Sequence, residues 1–170
     1  LLGLVGSEMC IRDRIIVFLS IPLGVYSAIH PKSIFTKFVM AMSSVGISIP
    51  VFLTAIMLMY VFSIELGWLP SYGRGETANV LGWESGFFTI DGIKHLILPC
   101  VALASIMLPL FIRLVRSEML EVLSSEYIKF AKAKGLNLNK IYYQHALKNT
   151  MLPVLTVGGV QIGTMVAYTI

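Results

Sequence analysis

The chain has 170 residues, of which 56% are hydrophobic and 13% are charged, and its formal net charge is +4. A mean hydropathy of +0.83 excludes an ordinary water-soluble domain, because such a domain would have to expose much of its apolar surface. The composition therefore predicts an integral membrane protein. No basic patch of the ribonucleoprotein kind is present, so no nucleic-acid partner is expected. Cys10 and Cys100 form no CxxC pair, so neither a disulfide nor a zinc site is expected.

The first 14 residues, LLGLVGSEMCIRDR, place four charged side chains directly before an apolar run. The string GSEMCIRDR resembles translated sequencing-adapter sequence, so we interpret residues 1–14 as a non-native segment and exclude it from fold reasoning. The alternative is a genuine juxtamembrane segment. Because the chain begins at Leu1 and stops at Ile170 inside an apolar run, we expect a fragment that is truncated at both ends.

Four apolar stretches follow, and none of them contains Asp, Glu, Lys or Arg: 15–29, 38–64, 95–112 and 150–170. About 20 residues cross the hydrocarbon core, so the first stretch is short and the second can cross with tilt. The pattern predicts an all-α, polytopic transmembrane helical bundle. Prolines at four positions predict kinks: Pro22, Pro50, Pro99 and Pro109. The pairs Gly159/Gly163 and Ser44/Ser48 predict close helix packing.

The loops predict the orientation of these spans. Lysine and arginine are concentrated after the first stretch and in the long segment 113–149, whereas Glu65–Lys94 is mainly acidic. By the positive-inside rule, the two basic loops are cytoplasmic and Glu65–Lys94 is outside. Three aromatic residues near that outer boundary predict an interfacial belt: Trp68, Tyr72 and Trp83.

The absence of certain motifs bears on the energy source. Uncharged spans argue against a secondary carrier or an ion channel, because a driving ion needs ionisable groups at depth. The sequence contains no GxxxxGK[ST], HExxH or GxSxG motif, which argues against a nucleotide site and against a membrane-embedded enzyme. If this protein moves a solute, we expect the energy to come from another protein.

The basic segment Ser124–Pro153 is the natural place for that protein to dock. Ser125 is predicted to cap a helix that begins at Glu126, and Gly135 is predicted to end it in the left-handed conformation. One apolar side of that helix is predicted to hold Tyr127, Ile128 and Ala131.

A second helix is predicted to follow, capped by Asn137 or Asn139. The last span is predicted to start near Asn149, with Pro153 in its first turn. A short helix, a bend and a second helix suit insertion into a groove on a partner protein. The alternative is an amphipathic helix that faces anionic lipid.

The string EYIKFAKAKGLNLNKIYYQHALKNTMLPVLT resembles the cytoplasmic loop of ABC transporter permeases of the dipeptide/oligopeptide/nickel class, in particular the dipeptide-permease B type. Four further strings fit the same family in order: IPLGVYSA, SIPVF, LGWLPSYG and HLILPCVALA. The wider permease motif begins Glu-Ala-Ala, where this chain has Lys129, Phe130 and Ala131, so only Ala131 and Gly135 match it.

The resemblance implies a permease subunit of an ATP-driven importer, which is not itself an enzyme and holds no cofactor. ATP and Mg²⁺ would bind a separate ATPase subunit. The other expected partners are the membrane, a second permease subunit and an extracytoplasmic solute-binding protein, and the expected location is the inner membrane of a bacterium or archaeon, with several crossings. Peptides are the expected substrate, and nickel is the alternative.

The resemblance also implies which residues couple the chain to the ATPase. The contact itself would be Glu126 to Gly135. The implied residues of the coupling loop are Glu126, Tyr127, Lys129, Ala131, Lys132, Ala133, Lys134, Gly135, Leu136, His145, Asn149 and Pro153.

Overall fold

The computed structural model describes residues 2–70, 78–80, 83–85 and 89–169. The helices and strands in chain order are α1 (Leu2–Ile29), α2 (Ile34–Ser48), α3 (Val51–Met59), a π-helical turn (Tyr60–Glu65), β1 (Ala78–Val80), β2 (Trp83–Ser85), α4 (Ile90–Ser124), α5 (Glu126–Ala133), α6 (Leu138–Lys140), a second π-helical segment (Ile141–Ala146) and α7 (Leu147–Thr169). The all-α class is confirmed. The two short strands pair antiparallel, with Ala78 opposite Ser85 and Val80 opposite Trp83.

The chain divides into two compact units, Leu1–Val17 with Val45–Leu108, and Phe18–Ser44 with Pro109–Ile170. In the first unit, neither α3 nor the π-helical turn after it has a buried residue. The second unit holds all of the largest fully buried side chains: Met119, Ile128, Ile141, Val115, Thr36, Thr150, Ser20 and Ser27. The first unit also has buried residues, among them Leu96 and Cys100 of α4, but its largest side chains are less completely buried.

Helix α4 is longer than the span that the sequence predicts. It has 35 residues, which corresponds to about 52 Å of helix against a hydrocarbon core of about 30 Å. The helix passes Arg113 without a break and ends at Ser124, so the predicted loop 113–149 is helical in its first third. Within the described residues, Asp91–Ser124 is the one single helix that is long and apolar enough to cross a membrane.

The second apolar stretch is divided rather than continuous. Ile34–Ser48 and Val51–Glu65 pass the same length and hydropathy test only together, and they are bent by 100° at the break between them. Pro50 stands directly before α3 with extended backbone angles, and it lacks the N–H that a continuous helix would need there. The interruption predicted at Pro50 is therefore present, and the membrane crossing of 38–64 stays a prediction.

The other prolines do not interrupt their helices. Pro22 lies inside α1, and Pro99 and Pro109 lie inside α4. Because α1 begins at Leu2, it includes residues 2–14, whose non-native origin stays a prediction.

In the second unit, the close helix contact lies at Gly24 of α1. A Cβ at this position would stand 2.7 Å from the Cβ of Val115 and 3.0 Å from the carbonyl oxygen of Ile112, both on α4. Ser20 and Ala28, one turn away on either side, are buried. The spacing Ser20, Gly24, Ala28 is thus a small-residue stripe against which another helix packs.

The small-residue pair on α7 has no such neighbour. Nothing in the described part of the chain lies within 4 Å of a Cβ added at Gly159 or Gly163. Their role in packing stays a prediction, and it concerns a helix outside the described residues. Trp68 is exposed, the backbone of Trp83 forms part of β2, and Tyr72 lies outside the described residues, so the aromatic belt also stays a prediction.

Candidate functional site

Helix α5 has one buried side and one exposed side. Ile128 is fully buried and Ala131 is 5% exposed. The opposite side carries Glu126, Phe130 and Ala133, which are spaced i, i+4 and i+7 and are all exposed. We call these three residues the outer stripe of α5. Such a short amphipathic helix presents a defined surface because its buried side fixes which residues face outward.

The predicted buried side of α5 is confirmed except at Tyr127, whose side chain is 50% exposed. The predicted start of the helix at Glu126 is also confirmed. Ser125 occupies the N-cap position, but its side chain makes no capping hydrogen bond. Its hydroxyl donates instead to the Val122 carbonyl oxygen at 2.6 Å. The predicted side-chain cap is therefore wrong.

The end of α5 confirms the prediction for Gly135. Its φ is +75°, a left-handed conformation that other residues rarely adopt. The Gly135 N–H donates to the Lys132 carbonyl at 3.0 Å, and the Leu136 N–H donates to the Ala131 carbonyl at 3.4 Å. These two bonds form a Schellman motif, which satisfies carbonyls that the helix end would leave unpaired.

The second half of the segment is one continuous helical run. The Asn137 side chain accepts a hydrogen bond from the Asn139 N–H at 3.0 Å, so Asn137, rather than Asn139, is the cap. The run passes through α6 and the π-helical segment into α7 without a break. Pro153 therefore lies inside α7 rather than in the first turn of a new helix, and the predicted start near Asn149 is wrong.

A hydrogen bond joins α5 to the π-helical segment. The Tyr127 hydroxyl lies 2.6 Å from Nδ1 of His145, which is 18 residues away in sequence. The two rings also contact edge to face, with centroids 5.8 Å apart and an interplanar angle of 64°. Both are among the coupling residues that the resemblance implies, but their contact with each other is not predicted from the sequence.

Several fully buried residues lie in this part of the second unit, and we call them the apolar base. They come from four elements: Val115 and Met119 of α4, Ile128 of α5, Ile141 and Ala146 of the π-helical segment, and Thr150 of α7. The Thr150 hydroxyl donates to the Ala146 carbonyl at 2.9 Å, and it lies 3.5 Å from the Met119 sulfur. Close-packed side chains of this kind hold the backbone above them in place.

Phe130 lies within the predicted contact Glu126 to Gly135, but it is not among the individually implied coupling residues. Its ring is 60% exposed, and the Lys134 ammonium lies 4.6 Å from the ring centroid. An exposed aromatic ring at the centre of a helix face is typical of a residue that anchors a protein interface. A helical wheel of residues 126–133 could have found it, because Phe130 falls opposite Ile128 and Ala131.

The remaining predicted coupling residues divide by exposure. Lys129, Lys132 and Lys134 are exposed, Leu136 and Pro153 are half-buried, and Asn149 is exposed. The Lys129 ammonium lies 2.7 Å from a Glu126 carboxylate oxygen, but a surface pair of this kind contributes only about 0.5 kcal/mol. Ala131 is buried inside the chain, so in this conformation it supports the helix from within.

The chemistry of this region is that of a binding surface. In the part of the chain that the structure describes, no group of three or more His, Cys, Asp or Glu side chains could hold a metal ion. What the region offers is an exposed ring with flanking lysines and one carboxylate, held on an apolar base. This arrangement suits contact with another protein.

Residues 20–170 match the family model described as "Binding-protein-dependent transport system inner membrane component". The chain is 38% identical over 161 residues to a dipeptide transport system permease protein of Alkalihalophilus pseudofirmus, covering 88% of this chain and 48% of that protein. It is 39% identical over 156 residues to a di/tripeptide transport system permease protein of Pseudomonas aeruginosa, covering 85% and 46%. It is 37% identical over 158 residues to an oligopeptide transport system permease protein of Bacillus subtilis, covering 93% and 48%. The chain thus spans about half the length of these relatives.

Proposed function

Because this chain belongs to the family of inner membrane components of binding-protein-dependent transport systems, we propose that it forms part of the permease of an ATP-driven importer of di- and oligopeptides. The observation that carries the proposal is that a chain of this family has a short helix, α5, whose outer stripe is exposed while its opposite side is buried. The chain itself would supply no catalytic step.

The names of the relatives support peptides as the substrate. They are called dipeptide, di/tripeptide and oligopeptide permeases. This makes the peptide the better choice than nickel, the alternative that the sequence resemblance left open.

The coupling surface would be the outer stripe of α5. Phe130 would enter an apolar groove on the ATPase, and Glu126 and Lys129 would contact its polar rim, as in other helix-in-groove complexes. ATP and Mg²⁺ would bind to the ATPase, and closure of two ATPase subunits would displace α5. The exposure of Phe130 supports this role, since 60% of its surface is exposed in the described part of the chain.

The complete assembly would contain a second permease subunit, ATPase subunits and an extracytoplasmic solute-binding protein. The chain would cross the inner membrane of a bacterium or archaeon several times, with α4 as one crossing, and 113–149 would face the cytoplasm. A cysteine introduced at Lys140 should resist impermeant thiol reagents added outside, while one at Glu76 should react. Glu76 lies outside the described residues, and the reverse labelling pattern would contradict this orientation.

The proposal is tested with the full-length protein, its second permease subunit, its ATPases and its binding protein in proteoliposomes. We expect uptake of a labelled dipeptide that requires both ATP and the binding protein. Nickel uptake under the same conditions would identify the alternative substrate. Strong solute flux in vesicles that lack any ATPase would contradict an ATP-driven importer altogether.

A further inference from the structure

The contact between Tyr127 and His145 joins the docking helix to the base of α7. The 2.6 Å distance between the hydroxyl oxygen and Nδ1 is at the short end for a hydrogen bond between these groups. The edge-to-face contact of the rings adds a second restraint on their relative position. The pair therefore fixes both the distance and the angle between α5 and the π-helical segment.

Helix α5 has few other restraints. It has eight residues, of which only Ile128 and Ala131 are buried. A turn at Ser125 precedes it, and the left-handed Gly135 follows it. A helix held by two buried side chains on one side can rotate about them, so a hydrogen bond at its edge has a large effect on its orientation.

The element on the other side of the bond is itself deformable. Ile141–Ala146 is π-helical, with the Leu147 N–H bonded to the Tyr142 carbonyl five residues earlier. Pro153, farther along the same run, has no N–H to give to the Asn149 carbonyl. π-helical segments and interior prolines are the usual sites at which a helix bends. His145 lies on this bendable stretch, between the docking helix and the apolar part of α7.

We propose that Tyr127 and His145 are a positioning pair that transmits displacement of α5 to α7. Neither residue touches the transported solute. With the bond intact, a push on α5 moves the π-helical segment and α7 with it. Without the bond, α5 turns on Ile128 and Ala131, and the same push is lost. This inference rests on the function proposed above, because it assigns a role within the same coupling surface.

The test uses the full-length permease assembled with its partners in proteoliposomes, and it measures peptide imported per ATP hydrolysed. Tyr127→Phe keeps the ring and removes the hydroxyl, and His145→Leu removes the ring nitrogen that bonds to it. Each is expected to lower the ratio about fivefold, the value of one ordinary hydrogen bond. The double variant should lower the ratio no further than the more damaging single variant does, because both changes remove the same interaction.

A conservative variant separates positioning from simple damage. His145→Asn places an amide group near the position of Nδ1, and it should restore the ratio to within about twofold of wild type, since the amide can either accept from or donate to the Tyr127 hydroxyl. Tyr143→Phe is the matched control, because Tyr143 lies in the same segment but is exposed. It should leave the ratio unchanged.

Hydrogen exchange gives a readout that does not depend on transport. In the assembled permease, the amides of 126–133 should exchange about fivefold faster in Tyr127→Phe and His145→Leu, and at the wild-type rate in His145→Asn. If Tyr127→Phe showed wild-type exchange and an unchanged import ratio, the positioning role of the pair would be contradicted, while the proposed function would stand. If the wild-type assembly imports nothing at the expense of ATP, the proposed function fails and the coupling role of the pair fails with it.

Discussion

Two parts of this chain have the same order of helix types, a short α-helix and then a π-helical stretch, but they differ in burial. Val51–Glu65 is a short α-helix that continues as a π-helical turn, and it buries no residue. Glu126–Ala146 likewise combines a short α-helix, α5, with a π-helical segment, yet it buries Ile128 and Ile141 completely. The more apolar of the two is thus the more exposed. This is the reverse of a water-soluble protein, and it follows if the first part faces lipid, where exposed apolar side chains cost nothing.

The comparison separates two sources of stability. The basic segment is held together by its own chain, through caps, a buried base and the Tyr127–His145 bond. The apolar part depends on lipid or on other helices for its surroundings. Substitutions in the basic segment should act on folding and coupling directly, whereas matched substitutions in the apolar part should have smaller effects.

Gly135→Pro should have the largest effect. Proline requires φ near −65°, but the backbone here is at +75°, and the Gly135 N–H bond to Lys132 would be lost. We expect the end of α5 to unfold and ATP hydrolysis stimulated by the permease to be abolished, while membrane insertion continues. Co-purification with the ATPase and ATPase assays on the full-length assembly measure this.

Gly135→Asn is the control for that experiment, because asparagine tolerates the left-handed conformation better than other residues. It should retain most of the stimulated ATP hydrolysis. Full coupling in Gly135→Pro would contradict the docking role of α5.

Ile128→Ala tests the difference between the two parts at a single residue type. Ile128 is fully buried in the base, so its truncation should cost about 2–5 kcal/mol of unfolding free energy. Ile64→Ala, in the π-helical turn of the apolar part, removes the same atoms from a side chain that is 67% exposed and should cost less than about 0.5 kcal/mol.

Denaturation of the full-length permease in lipid nanodiscs gives both values. Equal losses from the two substitutions would mean that the apolar part has a protein partner at Ile64 comparable to the base at Ile128.

Gly24→Ala and Gly159→Ala compare two glycines inside helices. At Gly24 the new methyl would meet Val115 and the Ile112 carbonyl at 2.7–3.0 Å, so α1 and α4 must separate at a cost of about 1–3 kcal/mol. At Gly159 the space is open within the described chain, and alanine should raise helix stability by up to about 1 kcal/mol. The same denaturation assay applies. A destabilising Gly159→Ala in the assembled transporter would reveal the predicted partner helix of the Gly159/Gly163 pair.

The sequence predicts the class of fold and the position of helix α5 because these depend on local signals. Composition predicts the α-helical membrane class, and Gly135 and Asn137 act through their own backbone and side chain. Pro50 illustrates the limit: the sequence indicates a kink there, but the 100° bend depends on what each half contacts.

The tertiary contacts were missed for the same reason. Gly24 and Gly159 both lie in small-residue patterns, and only the position of Val115 distinguishes them. The Tyr127–His145 bond joins residues 18 apart in sequence, and no local sequence pattern predicts it. Ser125 is the instructive error, because it stands at the right position for a cap while its hydroxyl turns back to Val122.

That error supplies the smallest and most specific prediction. Asn137→Ala removes a side-chain cap that is made, so it should cost about 1 kcal/mol. Ser125→Ala removes a hydroxyl that caps nothing, because Ile128 and Lys129 donate to the Ser125 carbonyl rather than to its side chain. It should change the unfolding free energy by less than about 0.5 kcal/mol.

Hydrogen exchange at 126–133 for Ser125→Ala and at 138–146 for Asn137→Ala measures the two effects separately. If Ser125→Ala accelerated exchange as much as Asn137→Ala, the hydroxyl would be capping α5 after all, and the sequence pattern rather than the observed rotamer would describe this helix start.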